Sequence, residues 1–192
     1  IHPAIAAFES RLLLPLILAL SFFASAAQAQ VDVTASAGTL AASYTTLKGA
    51  FDAINAGTHQ GVIGIGLSGD TTETASASLS ASGSGAASYS SVLITPTGGA
   101  PRTISGAIAA GSPLINLNGA DNVTIDGLNT GGNALTIANT TVSATSGTST
   151  IRFIGGATGN VITNSSILGS GTMSVATNGA TIFFSTDALT AN

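Results

Sequence analysis

From Gly61 onward the chain alternates short apolar runs with clusters of turn-forming residues. The runs are VIGIGL (62–67), SVLIT (91–95), PLINL (113–117), NVTI (122–125), ALTI (134–137), TIRFI (150–154), NVIT (160–163) and TIFF (181–184). Between them stand GADN, NTGGN, GGATGN and GSGT, rich in residues that tolerate tight turns. Runs this short, at this cadence, predict strands rather than helices and leave three all-β architectures open: sandwich, barrel or solenoid. One segment breaks the pattern. In TTLKGAFDAINAG the residues Leu47, Ala50, Phe51 and Ile54 fall at i, i+3, i+4 and i+7, a single apolar stripe that predicts one helix near residues 45–56. Thr45 or Ser43 is the expected N-cap, and Gly57 suits the left-handed position after the last turn. Gly49 inside the helix costs about 1 kcal/mol relative to Ala, so the helix is expected to depend on packing against the rest of the chain.

Repetition separates the three β architectures. LINLNGADNVTIDGLN (114–129) lies over IRFIGGATGNVITNSSI (151–167): each has an apolar run, a Gly-Ala turn, an Asn-Val pair and a further aliphatic. The pairs Asn122-Val123 and Asn160-Val161 are 38 residues apart, inside the range of about 20–50 residues that marks stacked repeats. In a solenoid, successive coils stack about 4.8 Å apart, so a few aliphatic columns fill a narrow core. Val123 and Ile125 then point inward, while Asn122, Thr124 and Asp126 point outward.

Composition fits this economy. Only 6% of the 192 residues are charged and 5% aromatic, with no Trp and no Cys. A formal net charge of −4 and four Lys plus Arg residues leave too few cations to neutralise many phosphates, which excludes a nucleic-acid partner. The apolar run 12–23, LLLPLILALSFF, follows Arg11 and precedes ASAAQA, whose Ala27-Gln28-Ala29 matches an A-x-A cleavage site. Pro15 interrupts it, and it is shorter than the roughly 20 apolar residues that cross a bilayer. The expected organisation is a signal peptide over 1–29, an N-terminal strand and capping helix over 30–60, and parallel coils over 61–192, with no membrane span after residue 29. The missing initiator Met and Glu9 close to Arg11 are what a fragmentary or mis-started reading frame is expected to show. No second amphipathic segment follows TIFF, so the stack is expected to be interrupted there and to self-associate through its open coil.

The helix YTTLKGAFDAIN, the phrase ADNVTIDGLN and the run TSTIRFIGGATGNVITNSSI resemble the start of the pectate-lyase-like right-handed parallel β-helix of large secreted bacterial surface proteins. The resemblance spans Val31 to the C-terminus, with NVTIDGL its most specific phrase. It implies a fold: an amphipathic helix plugging the first coil, then stacked coils of short parallel strands. It implies much less about activity, because that fold carries both enzymes and inert adhesive stalks.

Candidate chemistry is sparse. His59, in AGTHQG, is a lone loop histidine expected to be solvated, since acid-base and metal sites need positioned partners. The glycines of GTHQGVIGIG lack dinucleotide-binding spacing. Asp121 and Asp126 bracket one strand, and Asp70 and Glu73 stand three apart in GDTTE. These are expected to be turn-capping or solvated residues, because calcium and glycosidase sites need several converging carboxyls. Arg152, between Ile151 and Phe153, is expected to face solvent and guard against edge pairing. The reading therefore predicts no catalytic residue, no metal ligand and no cofactor. It places binding on an outward polar face made by Asn122, Thr124, Asp126 and Arg152. Extracellular glycans or cell-surface molecules are the expected partners of a non-catalytic, adhesin-like scaffold. The alternative is the N-terminal portion of a polysaccharide lyase or glycoside hydrolase whose active site lies beyond this segment. Were a site to lie within this segment instead, Arg152 near Asp126 or Asp121 on a neighbouring coil would be the candidate. An ice- or mineral-binding surface ranks third, since the Thr spacings in TVSATSGTSTI are irregular.

Overall fold

The computed structural model describes residues 28–169 and 180–186. The apolar run 12–23 lies outside the described residues, as does the signal-peptide reading built on it. The chain visits three parallel sheets in turn. Sheet A holds β3 (His59–Leu67), β6 (Tyr89–Pro96), β9 (Val123–Asp126) and β12 (Val161–Thr163). Sheet B holds β4 (Thr71–Thr72), β7 (Pro101–Gly106), β10 (Ala134–Asn139) and β13 (Ser165–Leu168). Sheet C holds β5 (Ala77–Ser80), β8 (Pro113–Asn118), β11 (Ser149–Ile154) and β14 (Ala180–Phe184). Cycling from A to B to C makes a parallel β-solenoid of about three turns. All eight apolar runs fall on strands. Four further strands, β4, β5, β7 and β13, are too rich in Ser, Thr and Gly to stand out by hydrophobicity.

In-register stacking builds the core. Ile63, Val92 and Val123 form one column of sheet A; Ile65, Ile94, Ile125 and Ile162 form another. Ile104, Ile137 and Ile167 stack in sheet B, above Thr71. In sheet C, Ala77, Ile115, Ile151 and Ile182 make one column, and Leu79, Leu117, Phe153 and Phe184 the next. Apart from Ile104, which stacks on Thr71 on one side, these interior rungs meet an apolar neighbour above and below, so burial worth about 1.5–3 kcal/mol per aliphatic side chain is obtained with very few bulky residues.

The register corrects the 38-residue repeat. Thr124 pairs with Val161, Ile125 with Ile162 and Asp126 with Thr163, a spacing of 37. Val161 therefore faces outward and is exposed, and Ile162 takes the core position. Asn160, level with Val123 rather than with Asn122 as the repeat implied, ties the two coils at their corner. Its Oδ1 accepts from the Val123 amide at 2.8 Å and its Nδ2 donates to the Ala120 carbonyl at 2.8 Å.

At the N-terminal side the parallel pattern stops. β1 (Val31–Gly38) runs antiparallel to β3, placing Val31 on Leu67 and Val33 on Ile65, and β2 (Ala41–Tyr44) runs antiparallel to β1. Helix α1 (Leu47–Asn55) then folds over the first coil and packs chiefly against β5. Leu47, Ala50, Phe51 and Ile54 are all fully buried, at 0% exposure. The N-cap is Thr46, not Thr45 or Ser43: its Oγ1 accepts from the Gly49 amide at 3.1 Å. Gly57 follows the C-cap Ala56 with φ +73°, as expected. Asn55 finishes the seal. Its amide donates to the Ser78 carbonyl at 2.8 Å and accepts from the Ser80 amide at 3.0 Å, acting as a surrogate peptide group along the edge of β5.

Both tyrosines are tied to this framework. Tyr89 is buried, and its hydroxyl donates to the Ser80 carbonyl at 2.5 Å. Burial, reinforced by the negative charge of Asp121, pushes its pKa from 10.0 up to about 12; burial raises that of Tyr44 as well. Because the folded state holds the Tyr89 proton more tightly than the unfolded state, the contribution is complete below pH 10 and declines as pH rises through about 12. An absorbance titration at 295 nm should show little phenolate at pH 10, with alkaline unfolding following at higher pH. Half-ionisation of both tyrosines at pH 10 would contradict this burial.

Candidate functional site

Sheet A and its flanking turns position three of the expected surface residues. Along β9, Val123 and Ile125 are buried and Thr124 and Asp126 alternate outward, half-buried. Asn122 precedes the strand in a tight turn with φ +57° and is exposed. The left-handed backbone suits Asn because a short amide side chain tolerates that region. Asp126 closes a turn: its Oδ1 accepts from the Leu128 amide at 2.8 Å and from Asn164 Nδ2 at 2.9 Å in the next coil. The Asn164 bond first, then the Leu128 amide, holds its carboxyl below the ordinary value, because both donors favour the ionised form. The column through Thr124 is mixed, since Leu93 of β6 and Val161 of β12 flank it and both are exposed. Sheet A therefore presents hydroxyl and carboxylate groups interleaved with aliphatic ones.

Arg152 does not join them. It belongs to sheet C, whereas Asp126 sits on sheet A, so the four residues do not share one face. Nor is it solvated: it is 8% exposed. Its Nε donates to Asn116 Oδ1 at 3.1 Å, and Asn116 Nδ2 donates to Ser78 Oγ at 3.0 Å, a polar column spanning three coils. Burial pulls its guanidinium below the ordinary value, yet arginine stays charged under any physiological condition. Arg152 lies on the face of β11 opposite the core residues Ile151 and Phe153, as expected, but it is buried rather than solvated, because the in-register Asn116, 36 positions earlier, supplies a partner.

Two other polar residues are likewise built into the fold. His59 opens β3 and is fully buried. Its Nδ1 lies 2.6 Å from the Thr39 carbonyl, which can only accept, so Nδ1 carries a proton; Nε2 lies 2.8 Å from the Tyr44 hydroxyl. Glu73, between β4 and β5, is 1% exposed. Its two carboxylate oxygens accept from the Leu47 amide at 2.8 Å and the Lys48 amide at 3.0 Å, at the N-terminus of α1. His59 is not the solvated loop side chain expected from sequence, and Glu73, expected to cap a turn or face solvent, is buried and caps a helix instead.

The remaining described carboxylates are also occupied. Asp70 accepts from the Thr103 amide, Asp121 from the Thr158 amide and hydroxyl, Asp32 from the Ser43 hydroxyl, and Asp52 pairs with Lys48. Three of these bonds, one to Asp70 and two to Asp121, cross from one coil to the next. Among the described residues no three His, Asp or Glu side chains converge as a metal site would require.

A cavity of about 400 Å³ opens beside the fourth coil, where Phe153, Ala157, Asn160, Ile162, Ile182 and Phe184 line it. Phe153 and Phe184 stack with ring centroids 4.8 Å apart and planes 9° from parallel. Among the described residues the lining carries no titratable group, and it offers an apolar, aromatic wall. Sequence reasoning did not find it; the signal was two aromatics at equivalent repeat positions, visible only once β11 and β14 are in register.

Comparison with protein-family models, with curated protein sequences and with solved structures returned no match to this chain in any of the three.

Proposed function

We propose that this chain belongs to a secreted or cell-surface right-handed parallel β-helix of the pectate-lyase-like kind and serves as a non-catalytic, adhesin-like scaffold that contacts glycans. The observation that carries the reading is the use made of acidic groups. Each described carboxylate already has a protein donor: Asp70, Asp121 and Asp126 tie neighbouring coils, Glu73 holds the start of α1, Asp32 accepts from Ser43 across the β1–β2 hairpin, and Asp52 pairs with Lys48 on the helix surface. Hydrolysis or β-elimination needs a carboxyl or base free to exchange a proton with substrate, and a carboxylate committed to structural donors serves that task poorly. Export is supported by the signal-like run 12–23 and its A-x-A sequence.

The contact surface we assign is sheet A around Asn122, Thr124 and Asp126. Sugars offer hydroxyls beside apolar C–H faces, and Thr124 between the exposed Leu93 and Val161 presents the matching mixture. Purified chain should bind one or more polysaccharides on a glycan array, with Thr124→Ala and Leu93→Ala each reducing retention. It should release neither unsaturated nor reducing ends from polygalacturonate, alginate or neutral glycans, with or without calcium. Turnover lost in an Arg152→Ala variant that still folds would put the lyase or hydrolase reading first. Absence of binding to every glycan would remove the glycan contact.

A further inference from the structure

We propose, resting on the glycan contact assigned to sheet A, that this surface takes uncharged polysaccharide chains and turns away acidic ones, with Asp126 as the group that makes the choice. The patch is a square of side chains that β6 and β9 present outward. Leu93 stands beside Thr124. One rung on, about 6.6 Å along the strands, the same register sets Thr95 beside Asp126. Across the strands the spacing is about 4.8 Å, so the square has the footprint of a single pyranose ring. Both strands lie inside sheet A with a strand on either side. Leu93 is 45% exposed, and Thr95, Thr124 and Asp126 are half-buried.

The bonding of Asp126 decides what the square accepts. Its two internal donors, the Leu128 amide at 2.8 Å and Asn164 Nδ2 at 2.9 Å, converge on Oδ1; no described residue donates to Oδ2. Those bonds fix the carboxylate and favour its charged form, which leaves Oδ2 as an acceptor awaiting a donor. A sugar hydroxyl supplies that donor beside the C–H face that Leu93 can cover. A uronate instead sets one carboxylate against another. Asp32, exposed on the outward face of β1, adds a second negative group in line with Gly66 and Thr95. Among the described residues the three cations are engaged elsewhere. Lys48 pairs with Asp52 on α1, Arg102 donates Nε and Nη2 to the Thr97 carbonyl at the corner leading to sheet B, and Arg152 lies in sheet C. Like charges brought together without a counter-charge reject the wrong partner.

Two matched pairs of polymers separate charge from backbone: polygalacturonate against its methyl ester, and carboxymethyl-dextran against dextran. Retention of the purified chain, measured at low salt with a chelator present, should be about two- to fivefold stronger on the uncharged member, the range for one charge interaction at an exposed surface. Asp126→Asn should bring the two members of a pair together. Asp52→Asn removes the same charge from α1, away from the square, and should leave the ratio as it is. Raising the salt to about 1 M, where charges are screened beyond about 3 Å, should narrow the ratio in the unmodified chain, so the test survives an Asp126→Asn variant whose circular dichroism shows a lost fold. Equal retention of both members, a stronger hold on the acidic member, or a ratio that Asp52→Asn narrows as much as Asp126→Asn overturns the proposal. Retention of neither member of either pair overturns it too. If other glycans on the array are then still held, only the charge selection is lost; if none is held, the glycan contact falls with it.

Discussion

Replacing Phe51 by Ala is expected to destabilise the chain by about 3–5 kcal/mol, the range for deleting a buried aromatic side chain. Phe51 sits at the centre of the α1 stripe, fully buried with Leu47, Ala50 and Ile54 against the first coil. The position cannot relax by sliding the helix. Thr46 fixes one end of α1, and at the other the Asn55 side chain is bonded to two backbone groups of β5. The cavity left by truncation therefore persists, and persistent cavities lie at the costly end of that range. Urea unfolding should show a lower midpoint with little change in slope, and Phe51→Leu should lose much less. An unchanged midpoint in Phe51→Ala would mean that α1 contributes nothing as a lid.

Glu73→Ala should cost about 3 kcal/mol, from the loss of charge-assisted hydrogen bonds at a helix N-terminus. The carboxylate is 1% exposed, and water has little access to replace it once it is removed. Two consecutive amides, Leu47 and Lys48, would lose their acceptor, and the partial positive charge of the first helical turn would lose its counter-charge. Glu73→Gln keeps one carbonyl oxygen as acceptor without the charge, so its loss should fall between wild type and Glu73→Ala. Hydrogen exchange offers a local readout: the Leu47 and Lys48 amides should exchange faster in the alanine variant while the β6 and β9 amides stay protected. Equal protection at Leu47 and Lys48 in both proteins would show that Glu73 does not hold the helix.

The two variants mark what could be read in advance. Phe51 was legible because helical periodicity is local: Leu47, Ala50, Phe51 and Ile54 declare a buried stripe within eight residues. The strand runs were legible for the same reason, by alternation and turn chemistry. Glu73, His59 and Arg152 were misread because nothing nearby announces their partners. Glu73 is satisfied by amides about 25 residues earlier, His59 by Thr39 and Tyr44, and Arg152 by a residue one coil away. In a stacked fold the burial of a polar side chain is decided by register, and register failed by one place at Asn160. A hydrogen-bonding Asn at the corner looked like the repeat's own Asn122, although the 37-residue pairing puts it opposite Val123. The β1–β2 hairpin was missed in part, since its short second strand, AASY, has no strong apolar alternation.

The sealed N-terminal side also bears on how such a chain acquires its shape. β1, β2, α1 and β3 lie within residues 31–67 and contact one another, with β5 and Glu73 completing the unit by residue 80. Every later described strand of the parallel sheets pairs with one 28–38 residues before it. A strand therefore finds its template already made if the chain folds from its N-terminus, and each added coil closes a loop of similar, modest length. The entropic cost of closure rises only slowly with loop length, so the steps should be nearly equal, in the manner of one-dimensional growth from a nucleus. Elongation in this order matches the direction in which a polypeptide leaves the ribosome or crosses a membrane. A capped first coil thus acts as a seed that sets the register of everything laid down after it.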